Sequence, residues 1–302
     1  MKVLVTGGTG LVGKAAVDRL LEAGHTVRLL SRHAEDDARQ WKAGVEPHTG
    51  DISTEEAVAG AAEGCDAVLH VAGIVAERPP EVTFQAVNVE GTRRLAREAK
   101  RAGVKRFVYV SSLGAERGES DYHRSKREAE LVVRDEAPAG WLVLRPGNVY
   151  GPGDEVVSLL LKMVRALPVV PLIGDGNQSF QPAWHEDVAE ALVIAAERLD
   201  LPGRALDVAG RELTSQRDLL RRFEHITGRS PVPVSVPEFL AEAGLKAAEV
   251  VGVDVGLDEN QMKMLLDGNV IPAGEENALT QVFGVEPTPL DVGLRRLADA
   301  QP

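Results

Sequence analysis

The first thirteen residues join a short apolar run to a glycine-rich turn. Val3-Leu4-Val5 leads into Thr6-Gly7-Gly8-Thr9-Gly10-Leu11-Val12-Gly13, after which apolar residues recur at helical spacing. A strand, a tight glycine turn and a helix let the backbone approach a pyrophosphate, and the free N–H groups of the helix face the anion. Because the glycines follow a predicted strand and open a predicted helix, they indicate a dinucleotide-binding site.

The composition restricts the class and the compartment of the chain. Of its 302 residues 44% are hydrophobic, and no apolar run is long enough to predict a transmembrane segment. The single cysteine, Cys65, excludes an intrachain disulfide and a cysteine metal cluster, so we expect a cytoplasmic protein. The net charge of −12 argues against nonspecific binding to nucleic acid. No metal site is predicted.

The first half of the chain alternates apolar runs with amphipathic stretches, which indicates a parallel sheet covered on both faces. The runs predict strands at Val3–Thr6, Thr26–Leu30, Val45–His48, Ala67–Val71, Arg106–Val110 and Trp141–Leu144. Helices are predicted at Val12–Glu22, Thr54–Ala62, Phe84–Ala102 and Tyr122–Asp135, and a charged helical stretch runs to Lys42. The predicted fold class is α/β, with a Rossmann-type doubly wound parallel sheet in residues 1–150. Residues 151–302 are predicted to form a smaller α/β cap interleaved with that sheet.

A serine, a tyrosine and a lysine follow the fifth predicted strand. Ser112 ends that strand, and Tyr122 and Lys126 come ten and fourteen residues later. Residues at i and i+4 share one face of a helix, so the ammonium is expected beside the phenol. A neighbouring cation favours the phenolate, which would lower the tyrosine pKa from its usual value near 10. The three residues therefore predict a general acid–base group acting on a hydroxyl or carbonyl.

These motifs occur in the order found in a known superfamily. Besides Thr6 to Gly13, the matching stretches are Thr49-Gly50-Asp51, Ala72-Gly73, Asn88-Val89-Glu90-Gly91-Thr92 and Arg145-Pro146 followed by Tyr150-Gly151-Pro152-Gly153-Asp154. The chain resembles the short-chain dehydrogenases/reductases of the extended or atypical type, to which the NAD-dependent epimerases and dehydratases belong. The resemblance implies that Ser112, Tyr122 and Lys126 are catalytic and that Lys126 also holds the nicotinamide ribose. It implies cofactor contacts at Gly7, Thr9, Gly10, Leu11, Val12, Gly13, Asp51, Ile52, Val71, Ala72, Gly73, Pro146 and Val149.

The end of the second strand bears on the choice of cofactor. An NAD site typically has a carboxylate about 20 residues past the glycines, which accepts hydrogen bonds from the ribose hydroxyls. This position is Leu30-Ser31-Arg32, and no carboxylate follows until Glu35. Arg32 offers a planar fork for a 2′-phosphate, and Ser31 could donate to the same group. The sequence therefore favours NADP, with NAD as the alternative.

Two functions from different classes stay open. The first is an NAD(P)-dependent oxidoreductase or epimerase that acts on a carbonyl or hydroxyl of a small molecule or nucleotide sugar. The second is a non-catalytic NADP(H)-binding accessory or redox-sensing protein. Gln181-Pro182-Ala183-Trp184-His185 and the late Pro287-Thr288-Pro289-Leu290 resemble bacterial relatives of the nucleotide-binding accessory subunit of respiratory complex I. That resemblance implies a respiratory-complex partner by analogy alone, and the superfamily resemblance also leaves a homodimer possible.

Several other side chains receive structural interpretations. His123 is expected to be solvated, because it points away from Tyr122 on a helix. The aromatic residues Phe180, Trp184 and Trp141 are expected in the core. The basic residues on the long predicted helix are expected to form a solvent-exposed face and to pair with glutamates. They are Arg93, Arg94, Arg97, Lys100 and Arg101.

Overall fold

Alternating strands and helices build a seven-stranded sheet, and its strands pair in parallel throughout. The computed structural model describes residues 1–154, 156–201, 203–240 and 269–301. The first elements are β1 (Lys2–Thr6), α1 (Leu11–Glu22), β2 (Thr26–Ser31), α2 (Ala34–Ala38), β3 (Val45–Thr49), α3 (Glu55–Val58) and β4 (Ala67–His70). They are followed by a π-helical segment (Gln85–Gly91), α4 (Thr92–Arg101), β5 (Arg106–Val110), α5 (Asp121–Glu136) and β6 (Trp141–Pro146). A 3-10 turn at Leu113–Ala115 lies between β5 and α5.

The later elements divide between the main sheet and two small sheets. They are β7 (Val149–Tyr150), α6 (Val157–Ala166), β8 (Val169–Ile173), β9 (Ala183–Trp184), α7 (His185–Glu197), β10 (Arg204–Val208), α8 (Gln216–Thr227), β11 (Val232–Val236), α9 (Ala278–Gln281) and α10 (Leu290–Ala300). Strand β10 joins the main sheet beside β6, whereas β8 pairs with β11 and β7 with β9. The sequence predicted short strands and helices up to Pro302, and the part of that stretch from 241 to 268 lies outside the described residues.

The strand order positions the site. The main sheet runs β10-β6-β5-β4-β1-β2-β3, so β1 pairs with β2 on one side and with β4 on the other. The chain therefore winds outward in one direction from β1 to β3 and in the other from β4 onward. Ligands of open parallel sheets bind at the carboxyl ends of the strands where this reversal occurs. Here that point lies between the ends of β1 and β4.

Both faces of the sheet are buried, as the apolar strands predict. On β1, Val3 and Val5 pack into a core formed with α1 and α7, whereas Leu4 faces the core under α4 and α5. Phe180 and Trp184 are buried in a third cluster together with α6, α8 and α10. The prediction that these two aromatic residues are structural is confirmed.

Several predicted element boundaries are wrong for local reasons. The helix expected at Phe84–Ala102 starts as the π-helical segment and becomes α-helical at Thr92. The helix expected over Thr54–Ala62 is only the short α3, and Gly60 beyond it adopts a left-handed backbone (φ 78) that ends the turn. The charged stretch to Lys42 is helical only in α2. Over the described ranges, no helix combines the length and apolarity that crossing a membrane requires.

The charged face of α4 is paired with glutamates as expected at three of its five basic residues, whereas Arg94 donates to the Ile52 carbonyl oxygen at 3.5 Å. Arg93 and Arg97 both form ion pairs with Glu136 on α5, and Arg101 forms ion pairs with Glu98 and Glu63. These contacts tie α4 to α5 and to the loop before β4.

Candidate cofactor and catalytic site

The glycine turn after β1 is held by close packing within the protein at two positions. Gly7 has a left-handed backbone (φ 69), and a Cβ on it would lie 2.6 Å from the Ala72 nitrogen. A Cβ on Gly13 would lie 2.0 Å from the Gly7 carbonyl oxygen. These two glycines are therefore required by the turn itself and by its contact with the segment after β4.

Gly10 has no such internal reason to be glycine. Its backbone is extended (φ −77, ψ 171), a conformation open to any residue, and a Cβ there would meet only the Gly7 oxygen, at 3.4 Å. Gly10 is the N-cap of α1 and offers no side chain, and the first turn of α1 contains no acidic residue. The backbone N–H groups of Leu11 and Val12 lack helical partners. The open space beside Gly10 and the positively polarised N-terminus of α1 fits a pyrophosphate. The glycine turn and α1 therefore suit the binding of a dinucleotide.

The segment after β4 connects this turn to the central helices. The Ala72 N–H donates to Thr6 Oγ1 at 3.2 Å, which ties Val71 and Ala72 to the end of β1. A Cβ on Gly73 would lie 3.2 Å from both Asn88 Oδ1 and Lys126 Nζ. Gly73 therefore lies between the glycine turn and the helix that carries Tyr122 and Lys126.

A buried histidine that the sequence did not single out completes this connection. His70 is wholly buried, with Nδ1 at 2.7 Å from Thr6 Oγ1 and Nε2 at 2.9 Å from Thr92 Oγ1. The Thr92 hydroxyl donates to the Asn88 carbonyl oxygen at 2.5 Å, so Nε2 must be the donating nitrogen and Thr6 must donate to Nδ1. Burial lowers the pKa of His70 to about 3, which keeps the ring neutral. The side chain thus clamps β1, β4 and α4 together at the end of the sheet.

The expected adenosine end of the site differs from the prediction in one respect. Arg32 is exposed and forms no hydrogen bond or ion pair with a described residue. The Ser31 hydroxyl, expected to be available for a phosphate, instead donates to the Asp37 carboxylate at 2.5 Å. Helix α2 folds back over the end of β2 and brings this carboxylate to a place where the sequence indicated none.

The two cofactor contacts expected after β3 are held by local packing. Asp51 accepts a hydrogen bond from the Ser53 N–H at 2.8 Å within its own turn. Ile52 is nearly buried, and its Cδ1 atom lies 3.0 Å from the position of a Cβ on Gly91. Both residues follow β3, at the same edge of the sheet as the glycine turn.

The predicted catalytic residues come together in the interior. Ser120 caps α5 by accepting the His123 N–H at 3.1 Å, and this places Tyr122 in the first turn. Ser112, Tyr122 and Lys126 are all more than nine-tenths buried. Ser112 lies close enough to the Tyr122 hydroxyl to lower the tyrosine pKa, but burial outweighs this effect and raises that pKa to about 12.

Lys126 turns toward β5 and not toward the phenol. Its ammonium donates to the Val110 carbonyl oxygen at 2.8 Å and to the Tyr109 hydroxyl at 3.2 Å. Nζ lies 5.9 Å from the centre of the Tyr122 ring. Burial lowers the pKa of Lys126 to about 8. The prediction that Lys126 lowers the pKa of Tyr122 is therefore wrong for this structure, although the two side chains share one helix face as expected.

The loop between Ser112 and Tyr122 contains a second correction. His123 is fully buried and not solvated. A Cβ on Gly114 or Gly118 would lie 2.3 or 2.2 Å from its ring, so the short glycine-containing loop wraps tightly around it. A cavity of about 280 Å³ opens beside this loop. Its lining residues include Leu113, Glu116, Arg117, Asp207 and Asn269.

Two further expected cofactor contacts, Pro146 and Val149, lie at and beyond the end of β6. Pro146 is the last residue of β6 and is buried, and Val149 begins β7, which pairs with Ala183 and Trp184. Both therefore lie at the carboxyl end of β6, the strand next to β5, and Ser112 follows the carboxyl end of β5.

Comparison with known proteins gives the family. Residues 3–209 match the NAD dependent epimerase/dehydratase family. A ceramide reductase from Caulobacter vibrioides is 34% identical over 239 residues, which cover 78% of this chain and 74% of the relative. A mitochondrial NADH dehydrogenase [ubiquinone] 1 alpha subcomplex subunit 9 from Arabidopsis thaliana is 28% identical over 247 residues, which cover 79% of this chain and 61% of the relative.

A solved structure supports the same assignment. The UDP-glucose 4-epimerase of Thermus thermophilus, in complex with NAD, superimposes with a TM-score of 0.75 at 25% identity. The match covers 99% of this chain and 98% of that one. The chain therefore belongs to the NAD-dependent epimerase/dehydratase family of extended short-chain dehydrogenases/reductases and is an NAD(P)-dependent oxidoreductase or epimerase.

Proposed function

We propose that this protein is an NADP(H)-dependent reductase or dehydrogenase that interconverts a carbonyl and a secondary hydroxyl. The observation that carries the proposal is the buried Tyr122 side chain, which lies beside the buried Ser112 and one helical turn from the buried Lys126. The bound cofactor supplies or accepts a hydride. The protein has to position the substrate oxygen and move one proton.

Tyr122 is the proton donor in the reducing direction. With a pKa raised to about 12, its phenol is protonated at neutral pH and can donate to the oxygen of a carbonyl as negative charge develops there. Ser112 donates a second hydrogen bond to the same oxygen and stabilises that charge. Lys126, with a pKa of about 8, is mostly protonated at pH 7 and places a positive charge one helical turn from Tyr122, at 5.9 Å from the ring centre. Its charge is lost as the pH rises through 8, so reduction weakens above that pH.

The described part of the cap favours a substrate without a diphosphate. Three arginines there each lie within reach of another protein group, and no arrangement among them demands a diphosphate. Arg204 pairs with Glu276 at 2.8 Å, Arg211 lies 3.6 Å from Glu286, and Arg217 donates to the Asp175 carbonyl oxygen. The ceramide reductase among the relatives agrees with a carbonyl substrate that lacks a pyrophosphate. We therefore favour reduction of an uncharged carbonyl compound over epimerisation of a nucleotide sugar.

The free guanidinium of Arg32 supports NADP as the cofactor. It lies at the end of β2, where the adenosine ribose of a dinucleotide is bound in this fold, and no described residue neutralises it. Asp37 works against a 2′-phosphate, because its carboxylate lies 2.5 Å from the Ser31 hydroxyl. The preference for NADPH over NADH is therefore expected to be moderate.

A turnover assay with two substrate classes tests the proposal. NADPH consumption is measured with a panel of long-chain and cyclic ketones, and sugar interconversion is measured with UDP-glucose and UDP-glucuronic acid. We expect NADPH oxidation with at least one ketone and no interconversion of the UDP-sugars. Epimerisation of a UDP-sugar without net NADPH consumption would contradict the reductase proposal.

The assay also addresses the non-catalytic alternative. A relative that is a subunit of NADH dehydrogenase favours that alternative. Tight NADPH binding without turnover on any member of either panel would support an accessory or redox-sensing role in place of the enzyme.

A further inference from the structure

Glu130 forms a polar junction beneath the proposed catalytic residues. It lies on α5, one helical turn beyond Lys126 and two beyond Tyr122, on the same face of the helix. Its side chain is only 10% exposed. Oε1 accepts the Ser111 hydroxyl at 2.5 Å and Arg145 Nε at 2.9 Å, and Oε2 accepts Arg145 Nη2 at 2.6 Å. Two parallel charge-assisted bonds of this kind fix both position and orientation.

The two partners of Glu130 precede residues of the proposed site. Ser111 comes directly before Ser112, and its N–H donates to the Leu144 carbonyl oxygen at 2.7 Å. Arg145 comes directly before Pro146 at the end of β6. One carboxylate therefore joins the ends of β5 and β6 to the helix that carries Tyr122 and Lys126.

The charge of Glu130 also acts on Lys126. The ammonium is surrounded by Tyr109 on β5, His70 on β4 and Tyr122 on its own helix. None of these three is charged at neutral pH, because burial raises the pKa of both tyrosines and lowers that of His70. Within the described part of the chain, Glu130 is the carboxylate that raises the pKa of Lys126 against the effect of burial.

We propose that Glu130 is a positioning residue that fixes Ser112 and Pro146 against α5 and places a negative charge one helical turn from Lys126. This inference rests on the proposed function, in which Ser112, Tyr122 and Lys126 act on the substrate. Arg145 also pairs with Glu116 at 2.8 Å and lies 3.8 Å from Asp207, so its charge is shared among three carboxylates. Glu130 is the one of these three that reaches Ser111.

The variant Glu130→Gln tests the inference, because it removes the charge and keeps the shape. Protein labelled with ε-¹³C-lysine is titrated by NMR, and the Lys126 signal is assigned as the one missing from Lys126→Arg. We expect the pKa of Lys126 to fall by about 1 in Glu130→Gln. The control is Glu128→Gln, which removes an exposed carboxylate from the same helix and should leave that pKa unchanged.

Kinetics provide a second readout. In Glu130→Gln the pH at which kcat for ketone reduction falls should move down with the pKa of Lys126, while the Kd for NADPH stays within about threefold. The NMR titration needs no turnover, so the two proposals can fail separately. A lowered Lys126 pKa in a protein without turnover counts against the reductase alone. An unchanged Lys126 pKa overturns the role of Glu130 whatever the turnover.

Loss of the Glu130 carboxylate removes the bidentate partner of the mostly buried Arg145, which destabilises the fold. The double variant Glu130→Gln/Arg145→Gln removes both charges and avoids that problem. The Lys126 pKa is expected to fall there as well, by less than in the single variant, because the lost Arg145 charge acts in the opposite direction. A Lys126 pKa equal to that of the wild type in the double variant also overturns the inference.

Discussion

At the scale of single residues, spacing predicts which side chains lie close together better than it predicts what they do to each other. The four-residue step from Tyr122 to Lys126 fixes a shared helix face, and the structure has it. The spacing does not fix where a long lysine side chain ends, and here Val110 and Tyr109 accept its hydrogen bonds. Burial then decides both pKa values, and burial depends on the whole fold.

Arg32 carries the first prediction at this scale. A charge-assisted bond to a 2′-phosphate contributes about 1.5–3 kcal/mol, so Arg32→Ala should weaken NADPH binding roughly 10- to 100-fold and leave NADH binding nearly unchanged. Asp37→Asn should strengthen NADPH binding several-fold, because it removes a carboxylate beside Ser31. Fluorescence titration of both cofactors measures these changes.

A nearby arginine supplies the control for that titration. Arg39→Ala removes an exposed guanidinium that pairs with Asp36 at 2.8 Å, and it should change neither affinity. Wild-type protein that binds NADH as tightly as NADPH, or tighter, would refute the preference for NADP.

At the scale of elements, strands with strong apolar runs were predictable, and weak ones were not. All six predicted strands of the main sheet are present, with ends displaced by two residues or fewer. The seventh, β10, was missed because Arg204-Ala205-Leu206-Asp207-Val208 is short and contains two charged residues. It becomes a strand by pairing with the edge of β6, which local sequence does not show. The glycine turn was predictable because its three parts occur in order within thirteen residues.

The glycine turn gives a prediction that separates folding from binding. A Cβ at Gly10 meets only one atom, at 3.4 Å, so Gly10→Ala should fold with a free energy of unfolding within about 1 kcal/mol of the wild type. Its added methyl group projects into the space proposed for the pyrophosphate, so NADPH affinity should fall at least tenfold. Thermal unfolding and fluorescence titration measure the two effects.

Gly13→Ala is the comparison for this experiment. Its Cβ would overlap the Gly7 carbonyl oxygen at 2.0 Å, so the variant should be severely destabilised or fail to fold. Undiminished NADPH binding by a folded Gly10→Ala protein would show that the cofactor does not pass over this turn.

At the scale of the whole molecule, the sheet brings distant segments to one point. The glycine turn after β1, the segment after β4 and the helix after β5 meet because β1 and β4 are neighbours where the winding reverses. A parallel sheet with its site at the strand ends was predictable from the alternation of elements. The polar contacts that secure the meeting were not, since His70 joins Thr6 and Thr92 across 64 and 22 residues. Their partners become neighbours only after the sheet has formed.

In the proposed reaction, Tyr122 moves the proton while NADPH is bound. The most direct measurement compares wild type, Tyr122→Phe and Tyr150→Phe for NADPH affinity and for kcat with the best ketone of the panel. Tyr150→Phe is the matched control, because it removes a buried hydroxyl that has no hydrogen-bond partner among the described residues. We expect all three proteins to bind NADPH alike and only Tyr122→Phe to lose about 10²- to 10⁴-fold in kcat. A Tyr122→Phe protein that reduces the ketone at the wild-type rate would contradict the proposed role of Tyr122.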